Sequence, residues 1–366
     1  MTPASPTSDA RILPAPVVSG QAPSALAPMQ DVTTLPFMRL IARYGPPDWF
    51  FTEYFRVHVH SRLEPHILAS ITENPSDRPV FAQLIGEDLH HLRRTVDELQ
   101  AFPIAGIDLN LGCPAPKVYK KNVGGGLLRD PDRIDAILGM LRTAVRGRLT
   151  VKMRVGFDGW EHLDRLVEVV NAHDVQLLSL HGRTVKEMYR APVHYDLIAR
   201  TVSRCHCPVL ANGEISSVEK AQWVLEKTGA HGVMMGRHAI RNPWLFRQWR
   251  EFQNGKTVFE PTLGDVRQYI DDLWGTLLDP VKPKKYQLGY LKKFLNFVGQ
   301  SVDPDGGFLK AMRHSREPDD LWRVADAWLV EEGRAEQPFP SEPYVGVIAR
   351  PSREAPVPET CSEVCA

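Results

Sequence analysis

Short apolar runs recur along most of this chain, separated by longer stretches in which apolar residues fall three and four apart. The runs are "SALAPM", "WFFTE", "PVFAQLIG", "GIDLNLGCP", "LTVKMRVG", "LLSLHGR", "PVLANGE" and "GVMMGR", each closing on polar or glycine residues. Runs of this length bounded by turn formers predict strands. Between them, segments such as "RIDAILGMLRTAV" and "HLDRLVEVVNAH" carry the apolar stripe of an amphipathic helix. Eight strand-and-helix units in succession predict an α/β fold, a (β/α)8 TIM barrel over residues 26–255. The competing doubly wound sheet needs fewer strands and a glycine fingerprint after the first, which "LAPMQDV" lacks.

After Arg241 the period changes. "LGDVRQYIDDLWGTLL" and "YQLGYLKKFLNFVG" repeat apolar residues at helical spacing with no strand between them, which predicts a small all-α domain over residues 260–333. Residues 1–25, rich in Pro, Ser and Ala, read as a disordered leader, and residues 334–366, with repeated Pro and Glu, as a disordered acidic tail. No apolar run approaches the roughly 20 residues of a membrane span, and the start lacks the pattern of a signal peptide. The expectation is a cytoplasmic monomer. Five cysteines with no framework spacing argue for reduced thiols. Within them, "CHCP" at 205–208 offers too few close ligands for a metal and reads as structural.

The formal charge is zero, but it is unevenly spread. From Glu317 onward eleven acidic residues face four arginines, so that stretch carries −7 and the remainder +7. The densest basic cluster is Lys282, Lys284, Lys285, Lys292 and Lys293. An overall neutral chain with a basic body leaves a polyanionic partner open.

In a barrel, chemistry sits at the C-terminal ends of the strands. The runs here end in Met29, Glu53, Gln83, Asn110 with Cys113, Lys152 with Arg154, His181 with Arg183, Asn212 with Glu214, and Gly236 with Arg237. A single polar residue after a strand is usually a turn former. A lysine, a histidine, a glutamine and arginines converging on one mouth need another explanation. The loops after strands seven and eight form the usual phosphate site of this fold, and Gly213, Gly236 and Arg237 fall there.

Taken in order, "DLNLGCPAPK…GGGLL", "VKMRVGFD", "LHGRTVKEMYRAPVHYDLI", "VLANGEI" and "GVMMGRHAIRNPWLF" resemble the tRNA-dihydrouridine synthases, flavoenzymes with a barrel followed by a helical tRNA-binding domain. The resemblance implies FMN held by Pro28, Met29, Gln83, Lys152, His181, Asn212, Gly213, Glu214, Gly236 and Arg237. It implies NADPH or NADH as reductant, hydride delivery to C6 of a uridine, and Cys113 as the acid that protonates C5. The D-loop of tRNA would be gripped by Arg56, Asn110, Arg154, Arg183 and Lys292, with Lys117, Lys120 and Lys121 extending the phosphate track.

"TEYFRV" resembles the Thr-Glu-Phe-x-Arg-Val stretch of the bacterial group acting on position 16, although Tyr290 stands where that group has arginine. Two rival readings remain: an FMN-dependent reductase or dehydrogenase of a free pyrimidine, and a non-catalytic tRNA-binding barrel. The first leaves the basic helical domain without a purpose, and the second leaves Cys113, Lys152 and His181 without one.

Overall fold

All eight apolar runs form parallel strands in the computed structural model, which describes residues 18–277 and 283–354. The strands are β1 (Ser24–Leu26), β2 (Trp49–Phe51), β3 (Phe55–Arg56), β4 (Val80–Ile85), β5 (Gly106–Leu111), β6 (Arg148–Arg154), β7 (Leu177–His181), β8 (Val209–Asn212) and β9 (Gly232–Met235). Pairing runs β2-β1-β9-β8-β7-β6-β5-β4, and β2 also pairs with β4, which closes an eight-stranded barrel. The two-residue β3 continues the path of β2 along β4. The register slips by one residue between Phe51↔Phe81 and Phe55↔Leu84, so the chain bulges through Thr52, Glu53 and Tyr54. Across that bulge the Gln83 N–H donates to the Thr52 hydroxyl at 3.1 Å.

Two-residue periodicity divides each strand between two environments. Leu26, Phe50, Ala82, Leu84, Leu109, Val151, Leu180 and Val233 join the large core beneath the outer helices. The alternate positions near the start of the strands, Ala25, Trp49, Phe51, Phe81, Leu177, Leu210 and Met234, form a separate cluster in the barrel interior. Phe51 and Phe81 stack there at 4.9 Å. Further along the same inward face the residues turn polar: Gln83, Asp108, Asn110, Thr150, Lys152, Ser179, His181 and Asn212. The outer helices 89–99, 131–144 and 218–228 each start on a side-chain cap, from Asp88, Asp130 and Ser217.

Helices 263–277, 284–298, 307–314 and 318–329 form the expected helical region. It is fastened to the barrel by aromatic contacts, with Phe37 against Phe294 at 5.3 Å and Tyr44 edge-on to Tyr269 at 5.5 Å. Arg241, fully buried, donates to the Ser301 hydroxyl and to the carbonyls of Ser216, Pro340 and Ser341. One guanidinium thereby joins the loop after β8, the helical region and the C-terminal segment.

Both expected termini need correction. Residues 1–17 lie outside the described residues, but Gln21 and Ala22 are hydrogen-bonded to Asn254 and Gln253, and β1 begins at Ser24. The leader boundary drawn at residue 25 was too late, because "SAL" pairs with β9 and β2. The tail boundary at 334 was too early. Thr262 bridges Pro338, Phe339 and Ala349 are buried, and Arg313 donates to the carbonyls of Ile348 and Ala349. Prolines set this path as irregular chain, so neither a helical nor a strand period marked it as packed. Cys361 and Cys365, like Lys282, lie outside the described residues.

Candidate active site

The mouth is built on a polar layer held together from below. Asp108 on β5 accepts from the Thr150 hydroxyl at 2.6 Å and from the Gln83 amide at 2.7 Å, while the Gln83 carbonyl accepts from Asn110 at 2.8 Å. The Asn110 side-chain oxygen then accepts the backbone N–H groups of Gly112 and Cys113 at 3.1 and 3.0 Å. This chain of bonds fixes the loop that presents the thiol. Asp108 is fully buried, and burial raises its carboxyl to about 6, against the lowering effect of its two donors.

Cys113 is partly exposed beside Tyr54, Ile85 and Val118. Burial pushes its thiol above the ordinary value, with the Ala115 N–H, Arg154, Tyr54 and Lys152 pulling the other way. The net result is a thiol protonated at neutral pH, the state required of an acid rather than a nucleophile.

Cations surround this group. Lys152 on β6 donates to Asn212 at 3.0 Å, and Asn212 donates in turn to the Met234 carbonyl at 2.7 Å. Desolvation, helped by Arg154, lowers Lys152 to about 8. His181 on β7 is held neutral by burial and by Arg154, Lys152, Arg183 and Arg237. Gly213 has φ +126, and a Cβ there would lie 2.8 Å from the His181 ring, so only glycine permits this approach.

The structure moves Arg154 and Arg183 off the exposed phosphate track. Arg154 is 2 % exposed and donates to the carbonyls of Gly112, Thr184 and Met188. Arg183 is 1 % exposed, bonded to the Ala191 carbonyl and paired with Glu214 at 2.8 Å. Both build the wall of the mouth because guanidinium groups this buried need several acceptors. Lys292 is also largely engaged, capping the carbonyls of Arg313 and Ser315. Arg56, Lys117, Lys120, Lys121, Lys285 and Lys293 are exposed.

The remaining expected residues converge at the same end. Pro28 and Met29 follow β1, and a Cβ on Gly236 would lie 3.5 Å from the Met29 sulfur. Arg237 lies over the Tyr189 ring at 4.0 Å and pairs with Glu354 at 2.7 Å. Asp108, Thr150, Tyr54, Tyr189 and Glu354 were not among the expected site residues. The first two were signalled by period-two alternation below Asn110 and Lys152; the others come from a bulge, a loop and the C-terminal segment, where no period operates.

The donor set fits an anionic planar cofactor. Four cations influence His181, and the Arg183 Nη1 is buried with no partner. Glu214 and Glu354 already pair with Arg183 and Arg237, so the open position is the buried Arg183 Nη1, which an anionic oxygen would satisfy.

These features define a class, a parallel β/α barrel enzyme with a cationic pocket and a protonated thiol at its C-terminal mouth. The family model for dihydrouridine synthase matches residues 25–303. The chain belongs to that family. It is 30 % identical over 312 residues to tRNA-dihydrouridine(16) synthase of Neisseria meningitidis serogroup A, covering 83 % of this chain and 93 % of the relative. It is 33 % identical over 288 residues to tRNA-dihydrouridine synthase B of Vibrio vulnificus, covering 73 % and 86 %. Among the described residues no helix is long and apolar enough to cross a membrane.

Proposed function

We propose that the protein reduces the C5=C6 bond of a uridine in the D-loop of tRNA, and that Cys113 is its acid. The observation that carries this reading is the Cys113 loop, held by Asn110 within reach of the Arg154 and Lys152 charges. Pro28, Met29, Gln83, Lys152, His181, Asn212, Gly213, Glu214, Gly236 and Arg237 would hold FMN, the last two at its phosphate end. FMN held there and recharged by NADPH or NADH would be the source of the hydride for C6 of the uracil ring.

What the chain itself contributes is a proton and a field. Conjugation with the C4 carbonyl directs negative charge through C5 to that oxygen, so C5 requires an acid, and positioned acids contribute about 10²–10⁴-fold. Cys113 remains a thiol at neutral pH and meets that need. Lys152 and the buried arginines favour the developing negative charge in a site with little water. A uridine within folded RNA must leave its stack to enter such a mouth. Exposed Arg56, Lys117, Lys120, Lys121, Lys285 and Lys293 supply the grip on phosphates, and binding accordingly weakens steeply with salt. "TEYFRV" and the similarity to the position-16 enzyme favour position 16 as the target.

The test is mass spectrometry of unmodified tRNA, and separately of uracil and orotate, after incubation with the flavin-loaded protein and NADPH. Dihydrouridine in tRNA alone is the expected result. Reduction of the free pyrimidines without product in tRNA would establish the small-molecule rival, and tRNA binding by a protein that takes up no flavin would establish the non-catalytic one.

A further inference from the structure

The bulge after β2 places a second polar group against the thiol. Tyr54 is 6 % exposed and belongs with Ile85 and Val118 to the cluster against which Cys113 packs, so its hydroxyl bears on the thiol. The Arg56 guanidinium lies 5.7 Å from the Tyr54 ring centre and also bears on this hydroxyl. We propose that Tyr54 is a positioning residue that aims the Cys113 thiol and stabilises the thiolate left when its proton departs. Burial raises the Tyr54 phenol to about 12, so it stays a donor throughout the working range. The charged groups bearing on the thiol are Arg154 and Lys152, and Arg56 bears on Tyr54.

This inference rests on Cys113 being the acid, and the experiment separates the two claims. Peptide-resolved alkylation of Cys113 against pH is measured for the wild type and Tyr54→Phe, together with kcat and KM on tRNA and a Cys113→Ala control. Loss of the hydroxyl moves the alkylation midpoint upward by up to about one pH unit, with kcat reduced several-fold and KM unchanged. An unmoved midpoint with normal kcat overturns the role of Tyr54. Full activity in Cys113→Ala overturns the acid assignment itself.

A second inference comes from the C-terminal segment, beyond the residues the family model matches. Residues 338–354 run from the helical region to the mouth with bonds along the way: Gln300 to the Val347 carbonyl at 3.0 Å, Arg313 to Ala349 at 2.9 Å, and Arg190 to Ser352 at 2.9 Å. The strap ends with the Glu354 carboxylate on Arg237 at 2.7 Å, the side chains 11 % and 20 % exposed. Its other oxygen accepts the Arg350 N–H at 3.2 Å. A carboxylate and a phosphate oxygen present the same acceptor to a guanidinium. We infer that Glu354 is a self-supplied anion that competes with a phosphate group for Arg237. The inference rests on Gly236 and Arg237 being the phosphate end of the site.

Flavin fluorescence quenching gives FMN affinity for the full-length protein stripped of flavin, for Glu354→Gln and for Glu354→Ala, and anisotropy gives tRNA affinity of the flavin-loaded forms. If the strap is docked about nine-tenths of the time, releasing it tightens phosphate binding roughly tenfold. Tighter FMN binding in both variants assigns the competition to the cofactor, and tighter tRNA binding alone assigns it to the RNA backbone. Unchanged affinity for both ligands overturns the inference. Failure of every form to bind FMN would instead sink the cofactor site, and this inference with it.

Discussion

The floor and the mouth of the barrel are made from the same strands, and they obey opposite rules. On β4 the inward residue changes from Phe81 to Gln83, on β7 from Leu177 to His181, and on β8 from Leu210 to Asn212. At the floor, aromatic and aliphatic side chains fill space and stabilise by burial. At the mouth, buried amides and cations hold one another in place while burial raises the Asp108 carboxyl and lowers Lys152 and His181 from their ordinary values. Stability resides at one end of each strand, and the residues proposed for chemistry sit at the other.

Substitutions at the two ends should therefore fail in different assays. Cys113→Ala is expected to lower dihydrouridine formation by about 10²–10⁴-fold, with urea unfolding and flavin content unchanged. Phe81→Ala should do the reverse at the level of mechanism, costing about 3–5 kcal/mol in urea unfolding while the folded fraction keeps its flavin affinity. Equal damage to both properties from either change would erase the distinction.

Two smaller effects sharpen it through pH. Burial raises Glu53, 3 % exposed in the bulge, to about 7. Because the folded value is raised, its contribution to stability is complete below about 4.5 and is lost as pH rises through 7. Glu53→Gln should remove that loss, a gain on the order of 2–3 kcal/mol at pH 8, read from denaturant midpoints across pH. Lys152 has a lowered value, near 8, so its folded state favours the neutral amine, and stability falls as pH drops from about 10.5 to 8. Its partial exposure through the mouth screens the charge, and Lys152→Met is expected to stabilise the flavin-free protein by about 1–2 kcal/mol at pH 7. The same variant should bind FMN more weakly. A destabilised Lys152→Met would show that the lysine serves the fold.

The barrel was legible because strand and helix periods are strong signals, and each of the eight predicted runs holds a barrel strand, with only the short β3 falling outside them. The direction of function along the strands was legible too, since Asn110, Cys113, Lys152, His181 and Asn212 all fall at strand ends. Burial was not. Arg154 and Arg183 read as mouth cations, but their carbonyl partners come from loops whose paths have no period. Arg241 shows the same limit, because its acceptors lie up to 100 residues away in sequence. The strap escaped for the converse reason: a Pro- and Glu-rich composition describes solvated chain on average and says nothing of a single carboxylate that finds an arginine.

The most direct measurement is the single-turnover rate of dihydrouridine formation by reduced, flavin-loaded Cys113→Ala against the wild type at matched flavin occupancy. Normal tRNA binding with a rate at least a hundredfold lower is expected, on the scale of a lost general acid. A rate equal to that of the wild type would contradict it, and would place the proton donor elsewhere in the mouth.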